Sequence, residues 1–298
     1  MRRPSPIELM LLVTVVLWAL NLTVTRYILT HGFEPLAYAT VRYGLATAIF
    51  LGIVLVGERT FRIARRDLPL TAVAALFIFL NQLSFVFALD RTSASTIALI
   101  LGATPAFAAI IGLAFGLERL SRKFWIAAGI SFAGVGLVAV GSGAAEVEGD
   151  TLGILLGVAT AATWAAYSVA VGPLMERYTA SRISVVAMGL AWVGILLVGL
   201  PQTAGQELDV GAAVWLLLLF ATLGPLVLTT VLWFRVIHRI GASRATLVAN
   251  LQPFLAAVIA LVLLSERMTL LQVIGGALIA GGILTARRRT TAPAPGAE

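Results

Sequence analysis

The hydrophobic residues of this chain fall into long continuous runs, with no alternation of apolar and polar positions. Each run is close to the 20 residues that a helix needs to cross about 30 Å of hydrocarbon. The runs lack the period of two that a transmembrane β-strand shows. The pattern predicts an all-α membrane protein with ten transmembrane helices, called segments 1 to 10: residues 7–29, 36–56, 68–88, 93–116, 124–141, 152–172, 183–200, 212–236, 243–264 and 270–286. In segment 8, Gly224 and Pro225 predict a kink or break.

The second half of the sequence repeats the first. A shift of 148 positions aligns many identical residues, and slips of two or three residues extend the match upstream. Each half then holds five segments, so the two copies must lie upside down relative to each other in a membrane, as in many secondary transporters. The aligned pairs include Pro105 with Pro253, Glu118 with Glu266 and Trp18 with Trp164.

The charges support this inversion. Most of the 21 Lys and Arg residues flank alternate gaps between the segments, beginning before segment 1 and ending after segment 10. The 2/3 gap is rich in arginine while the equivalent 7/8 gap has none. Because basic residues favour the cytoplasmic side, the pattern predicts two inverted five-helix repeats with both termini in the cytoplasm.

Composition excludes an ordinary soluble domain. The 298 residues are 60% hydrophobic and 12% charged, with a mean hydropathy of +1.00. The net charge of +7 follows from the topology, so no nucleic-acid partner is expected. The first run is too long for a signal peptide and is predicted to be a retained helix. The proline-containing tail 290–298 is predicted to be disordered and cytoplasmic.

Several motifs resemble the drug/metabolite transporter superfamily, in particular its EamA-type carriers with ten helices. They are Trp18 with Asn21 in segment 1, Arg42 early in segment 2, the twin stretches 93–121 and 241–269, and the glycine-rich runs 129–136 and 275–282. The resemblance implies two inverted EamA repeats, residues 1–146 and 147–289, around a central cavity. It also implies export of amino acids or other small metabolites by alternating access, from a bacterial inner membrane.

Polar and aromatic side chains within the spans are the candidate solute-binding residues, because such groups persist in hydrocarbon only where they face protein or a cavity. Two tryptophans at equivalent depth in inverted halves would approach a shared midplane. Each residue also has a structural alternative, since a mid-span Trp packs between helices and an intramembrane Asn serves as interhelical glue. The candidate cavity residues are Trp18, Asn21, Asn81, Gln82, Trp164, Tyr167, Asn250 and Gln252.

Two prolines and three charged residues are further candidates. Pro105 and Pro253 each lack an amide donor, so they predict kinks that act as hinges or merely shape the bundle. Arg42 lies about 9 Å inside segment 2 at 1.5 Å per residue, so it either attracts a solute carboxylate, snorkels to the interface or forms a structural ion pair. Glu118 and Glu266 either form gate-closing salt bridges or remain solvated.

The spans lack carboxylates near their centres, which favours facilitative transport because proton coupling usually needs an embedded titratable group. With no Cys and no His or carboxylate inside a span, the sequence argues against an enzyme, a metal site or a cofactor. The alternative function is proton-coupled efflux of cationic or hydrophobic drugs. The expected partners are a small solute and the lipid bilayer, and the chain is expected to be a monomer or homodimer.

Overall fold

The computed structural model describes residues 5–141, 151–264 and 269–287, and all its regular elements in these ranges are helical. A 3₁₀ turn at Arg65–Asp67 precedes α3, and a π-helical turn at Leu223–Leu228 joins α9 to α10. The α-helices are α1 (Pro6–Thr30), α2 (Pro35–Gly57), α3 (Leu68–Arg91), α4 (Ala94–Leu101), α5 (Thr104–Ala114), α6 (Arg122–Gly141), α7 (Thr151–Leu174), α8 (Ala180–Gly205), α9 (Ala212–Thr222), α10 (Thr229–Ile240), α11 (Ala242–Ala249), α12 (Gln252–Leu264) and α13 (Leu270–Arg287).

Within these ranges, eight helical stretches are long and apolar enough to cross a membrane, and Leu270–Ala286 is a shorter apolar helix. Many large apolar side chains on the outer surface are exposed, among them Phe115, Leu197 and Leu216. Such exposure would be costly in water but suits contact with lipid chains. The chain is therefore a helical membrane protein, as the hydrophobic runs predict.

Segment 4 is interrupted between α4 and α5. The N–H of Gly102 donates to the carbonyl of Leu99, three residues back, at 3.0 Å, so the chain tightens into a 3₁₀-like turn there. The cause is Pro105 at the start of α5, which has no N–H and whose ring crowds the preceding turn. The carbonyl of Leu101, left without an amide partner, accepts the hydroxyl of Thr104 at 2.6 Å.

Segment 9 repeats the same break. The N–H of Asn250 donates to the carbonyl of Leu247 at 3.3 Å, and Pro253 follows at the start of α12. The single helices predicted over 93–116 and 243–264 are thus each replaced by two shorter helices. The proline responsible occupies the same position in both repeats.

The break predicted at Gly224 and Pro225 is confirmed, and its form is a π-helical turn. Pro225 cannot donate an N–H to the carbonyl of Ala221, four residues earlier. The carbonyl of Ala221 therefore lacks its helical donor and can accept a hydrogen bond from a side chain. The wider π turn accommodates the proline ring.

The two halves of the chain pack against each other through long helix pairs: α2 against α8, α3 against α7, and α6 against α13. The glycine-rich runs account for the closeness of α6 and α13. A Cβ placed on Gly134 would lie 2.6 Å from the carbonyl oxygen of Gly275, and the converse distance is the same. Only glycine fits at these two positions, as expected for membrane helices that approach backbone to backbone.

Candidate functional site

A cavity lies between helices of the two halves. Its empty space, including the solvent-filled part at its opening, is about 950 Å³. Arg42 and Pro253 line it, whereas Pro105 and Glu118 are not among its lining residues, and Glu266 lies outside the described residues. All eight candidate residues predicted from the sequence also line it: Trp18, Asn21, Asn81, Gln82, Trp164, Tyr167, Asn250 and Gln252. The structure therefore brings the predicted polar and aromatic positions of both halves into one space.

Trp18 of α1 and Trp164 of α7 meet in this cavity. Their ring centroids are 5.3 Å apart and the rings are nearly perpendicular, at 87°. This is the edge-to-face arrangement that aromatic rings prefer. The side chains expected to approach each other from the two repeats are therefore in direct contact.

The two indoles differ in their hydrogen bonds. The Nε1–H of Trp18 donates to the hydroxyl of Thr229 at 3.0 Å and to the carbonyl of Pro225 at 3.2 Å. The Nε1–H of Trp164 has no hydrogen-bond partner within the described ranges. Trp18 is thus fixed by the π turn, while Trp164 keeps a donor available.

Trp233 of α10 is a third ring of the same cluster that sequence reasoning missed. Its centroid lies 4.8 Å from that of Trp18 and 6.1 Å from that of Trp164, and its Nε1–H donates to the hydroxyl of Ser168 at 3.2 Å. It is fully buried behind the other two rings. Trp233 follows Thr229, which bonds the Trp18 indole, by four residues and so lies on the same helix face.

Asn81 and Asn250 each bond a neighbouring helix and also line the cavity, the two roles that the sequence left open. Asn81 on α3 donates to the carbonyl of Thr160 on α7 at 2.9 Å, and Asn250 donates to the carbonyl of Gly102 at 3.2 Å and to the hydroxyl of Ser131 at 3.1 Å. Both residues hold helices together and also line the cavity.

Arg42 neither snorkels nor forms an ion pair with any described residue. Only 4% of it is exposed, and it points into the bundle. Its Nε and Nη2 donate to the carbonyl of Ala221 at 3.3 and 3.1 Å, and Nη2 also donates to Oδ1 of Asn21 at 3.3 Å. The physical reason is the carbonyl freed by Pro225, which offers the guanidinium a partner inside the membrane. The guanidinium carbon lies 5.7 Å from the centre of the Tyr38 ring.

Two fully buried polar atoms of the cavity lining also have no hydrogen-bond partner among the described residues. They are the side-chain amide nitrogen of Gln82 and the hydroxyl of Tyr167, and both residues are at least 98% buried. By contrast, the amide of Gln252 is engaged, because it donates to the backbone carbonyl of Trp18 at 3.0 Å. Buried groups without partners are costly unless something completes them, so Gln82 and Tyr167 are the strongest candidates for contact with a solute.

Comparison with known proteins decides the family. The model of the EamA-like transporter family matches the chain twice, over residues 5–140 and 151–288. The chain belongs to this family. The resemblance seen in the sequence is therefore confirmed, and the EamA-like fold accounts for the two repeats.

Two of three relatives compared with this EamA-like transporter are named as exporters, and the third is named as a transporter. A protein of Streptantibioticus cattleyicolor, 27% identical over 92% of this chain and 93% of its own length, is named as a probable terminal-alkyne amino-acid exporter. One of Salmonella typhimurium, 26% identical over 91% of each chain, is named as a probable amino-acid metabolite efflux pump. One of Bacillus subtilis, 28% identical over 85% of each chain, is an uncharacterised transporter. These names confirm a transporter rather than an enzyme.

A crystal structure shares the fold of this EamA-like chain. The match has a TM-score of 0.76 and covers 94% of this chain and 96% of the other at 18% identity. In the ranges that our structure describes, no group of three His, Asp or Glu side chains could hold a metal ion.

Glu118 of this EamA-like transporter contacts the opposite repeat in a way that the sequence did not suggest. Its carboxylate Oε1 accepts the backbone N–H of Ser243 at 3.2 Å, at the start of α11. A negative charge there is favourable, because the first amides of a helix are unpaired and carry partial positive charge. Gly241 precedes α11 with a φ of 83°, and a Cβ on it would lie 2.9 Å from the same carboxylate oxygen. Glu118 is a helix cap in this conformation and has no salt-bridge partner among the described side chains.

Proposed function

We propose that this protein exports amino acids or related small metabolites across a bacterial inner membrane by alternating access. The observation that carries the proposal is the contact of Trp18 and Trp164 at 5.3 Å in a cavity that both repeats line. A solute held between the repeats is exposed to one side or the other as the two halves rock. The proposed binding residues are Trp18, Asn21, Asn81, Gln82, Trp164, Tyr167, Asn250 and Gln252.

The proposed architecture has ten spans in two inverted repeats with both termini in the cytoplasm. The alternating loop charges support it. So does the equivalence of the breaks before Pro105 and Pro253, because two repeats of one fold should interrupt their fourth helices alike. In this view α11 and α12 together form the ninth span, and both breaks lie within the membrane and serve as hinges.

The solute class is supported by the names of two relatives and by the chemistry of the cavity. Those relatives are named for amino acids or their metabolites. The cavity combines indole rings with unpartnered polar groups at Gln82 and Tyr167, which suits a small solute that has both an apolar and a polar part.

Transport is proposed to be facilitative. The cavity lining in the described part of the chain includes no Asp or Glu, and proton-coupled carriers usually place a titratable group at the binding site. The same feature makes efflux of cationic drugs the weaker candidate. In everted vesicles, export that persists when a protonophore is added supports this mode, while export that collapses with the proton gradient refutes it.

Counterflow in proteoliposomes tests the function directly. Proteoliposomes that hold the purified full-length protein are preloaded with an unlabelled amino-acid mixture. The accumulation of a labelled amino acid from outside is then measured. Trp164→Ala should lower the rate at least about tenfold, because an indole surface of the binding site is lost. Trp125→Ala is the matched control, since Trp125 is an exposed ring of α6 outside the cavity. Equal rates for the two variants would refute the site, and absence of counterflow by the unsubstituted protein would refute the function.

A further inference from the structure

The charge of Arg42 is not compensated by any carboxylate of the described chain. A guanidinium has five N–H donors. The hydrogen bonds to Ala221 and Asn21 use Nε and Nη2, which leaves both donors of Nη1 without a partner in the described ranges. Both acceptors are neutral oxygens, so a buried positive charge remains at the wall of the cavity. Intramembrane charges of this kind are costly and usually mark a functional contact.

The backbone holds this guanidinium in one orientation. Pro225 leaves the carbonyl of Ala221 without its helical donor, and the Nε and Nη2 edge of Arg42 bonds that oxygen. The ring of Tyr38 lies 5.7 Å from the guanidinium carbon. With one edge fixed, the free Nη1 is the part of the cation that remains to bind an anion.

The other free groups of the cavity can donate as well. The amide nitrogen of Gln82, the hydroxyl of Tyr167 and the indole N–H of Trp164 all lack partners within the described residues. A carboxylate is an acceptor-only group that takes up to four hydrogen bonds. No Asp or Glu of the described chain lines the cavity, so a solute ammonium finds no counter-charge there.

We propose that Arg42 selects solutes with a carboxylate group and an apolar body, and that an α-ammonium group is not required for recognition. This inference rests on the proposed transport function and narrows its solute class. The carboxylate binds Nη1 of Arg42, and the apolar body lies against the rings of Trp18 and Trp164. Deaminated analogues of amino acids are then accepted, and decarboxylated ones are rejected.

Matched sets of three probe molecules test both parts of the proposal, that a carboxylate is required and that an α-ammonium group is not. On each of three bodies, phenyl, isobutyl and indole, the probes are the amino acid, its deaminated acid and its decarboxylated amine. For phenyl these are L-phenylalanine, 3-phenylpropionate and 2-phenylethylamine. Binding is measured as the rise in the midpoint of thermal unfolding of the purified full chain, and transport as counterflow. On at least one body, acid and amino acid should both bind, within about threefold of each other, while the amine does not.

Variants at Arg42 test the residue. Arg42→Gln should weaken carboxylate binding by about ten- to a hundredfold, the range for loss of a hydrogen bond to a charged group. Arg42→Lys keeps the positive charge but loses the planar set of guanidinium donors, so it should retain part of the carboxylate affinity. Arg26→Gln is the control, because Arg26 also bonds backbone carbonyls, those of Leu89 and Asp90, but lies outside the cavity. Should Arg42→Gln not fold, Arg42→Lys and the matched sets of probes decide the question on their own.

The outcomes separate this inference from the function itself. It is overturned if amines bind as well as acids, if deaminated acids are inert where amino acids bind, if no carboxylate of the panel binds, or if folded Arg42→Gln binds carboxylates like the unsubstituted protein. Exchange of L-phenylalanine but not of 3-phenylpropionate would overturn it and leave amino-acid export intact. Absence of counterflow with every probe would contradict the proposed function as well.

Discussion

The side-chain amide of Asn250 donates a hydrogen bond of 3.2 Å to the backbone carbonyl of Gly102, the residue 148 positions earlier in the chain. This separation equals the offset between the two repeats, so the broken helix of one repeat bonds the equivalent break of the other. Symmetry-related positions meet only near the axis that relates the repeats. The two breaks are therefore coupled, and a movement at one must carry the other along or sever this bond.

Asn250→Ala should lower the free energy of unfolding by about 1–2 kcal/mol, because it removes an interhelical bond and leaves the Gly102 carbonyl without that donor. Titration with denaturing detergent measures the change. The double variant with Ser131→Ala completes a cycle, since Ser131 accepts a second bond from the same amide. Stability of Asn250→Ala equal to that of the unsubstituted protein would contradict the coupling of the breaks.

Gly134→Ala should reduce stability markedly, because its Cβ would lie 2.6 Å from the carbonyl oxygen of Gly275 and force α6 and α13 apart. A loss of about 1–3 kcal/mol is expected from such overpacking. Gly129→Ala on the same helix is the control, since in the described part of the chain no side chain and no backbone of another helix lies within 4 Å of its would-be Cβ. Thermal unfolding of the two variants side by side measures the difference, and equal midpoints would argue against the close helix contact.

Asp67→Asn should destabilise the junction between the two halves. The carboxylate pairs with Arg177 and accepts the Tyr178 hydroxyl at 2.7 Å, and its side chain is only 5% exposed. Because Arg177 remains 45% exposed, solvent screens the pair, and the loss of stability should be smaller than for a fully buried pair, measured as a lower midpoint of thermal unfolding.

Arg66→Gln provides the comparison for Asp67. Arg66 also contacts this carboxylate, at 3.7 Å, but its side chain is 74% exposed, so its removal should change stability by less than about 0.5 kcal/mol. The charge swap of Asp67→Arg with Arg177→Asp should recover part of the loss seen with Asp67→Arg alone. If the double variant is no more stable than Asp67→Arg alone, the ion pair of Asp67 with Arg177 does not stabilise the junction.

Pro225→Ala should separate stability from transport. The new N–H can bond the carbonyl of Ala221, which favours a regular helix and removes the acceptor of Arg42. We expect little net change in thermal stability, because the gained backbone hydrogen bond offsets the lost bond to Arg42, together with transport about tenfold slower, because the guanidinium loses its fixed orientation. Pro201→Ala, a helix proline outside the cavity, should leave counterflow unchanged. Pro225→Ala with full transport would show that the freed carbonyl is not needed.

The sequence predicted the cavity better than it predicted the orientation of individual side chains. Polar or aromatic character within an apolar run was enough to predict Trp18, Asn21 and Gln82, because such groups in a membrane face the bundle interior or a cavity. For Arg42 the sequence left three roles open, since its depth in a span says nothing about which face of the helix it occupies. Its partner at Ala221 is a backbone oxygen exposed by a proline far along the chain, and side-chain patterns do not record free carbonyls.

The helix breaks and the Glu118 contact also depend on free backbone groups, which side-chain patterns do not record. Pro105 predicted a kink, but the division of segment 4 into two helices depends on how the freed carbonyl at Leu101 is satisfied, here by Thr104. Glu118 was expected to meet a charge or water, and it instead caps α11. That partner is a backbone amide in the other repeat, which only the packed structure brings near.

Access of a single cysteine to the cavity tests the central claim, that this cavity is a solute pathway open to each side in turn. The chain has no cysteine, so Ala98→Cys on the cavity wall can be labelled alone, with Ile110→Cys on the lipid-facing surface as control. A membrane-impermeant thiol reagent should label Ala98→Cys in both right-side-out and everted vesicles, more slowly when solute is present, and should spare Ile110→Cys. Labelling of Ala98→Cys from one side only, unaffected by any transported solute, would contradict alternating access through this cavity.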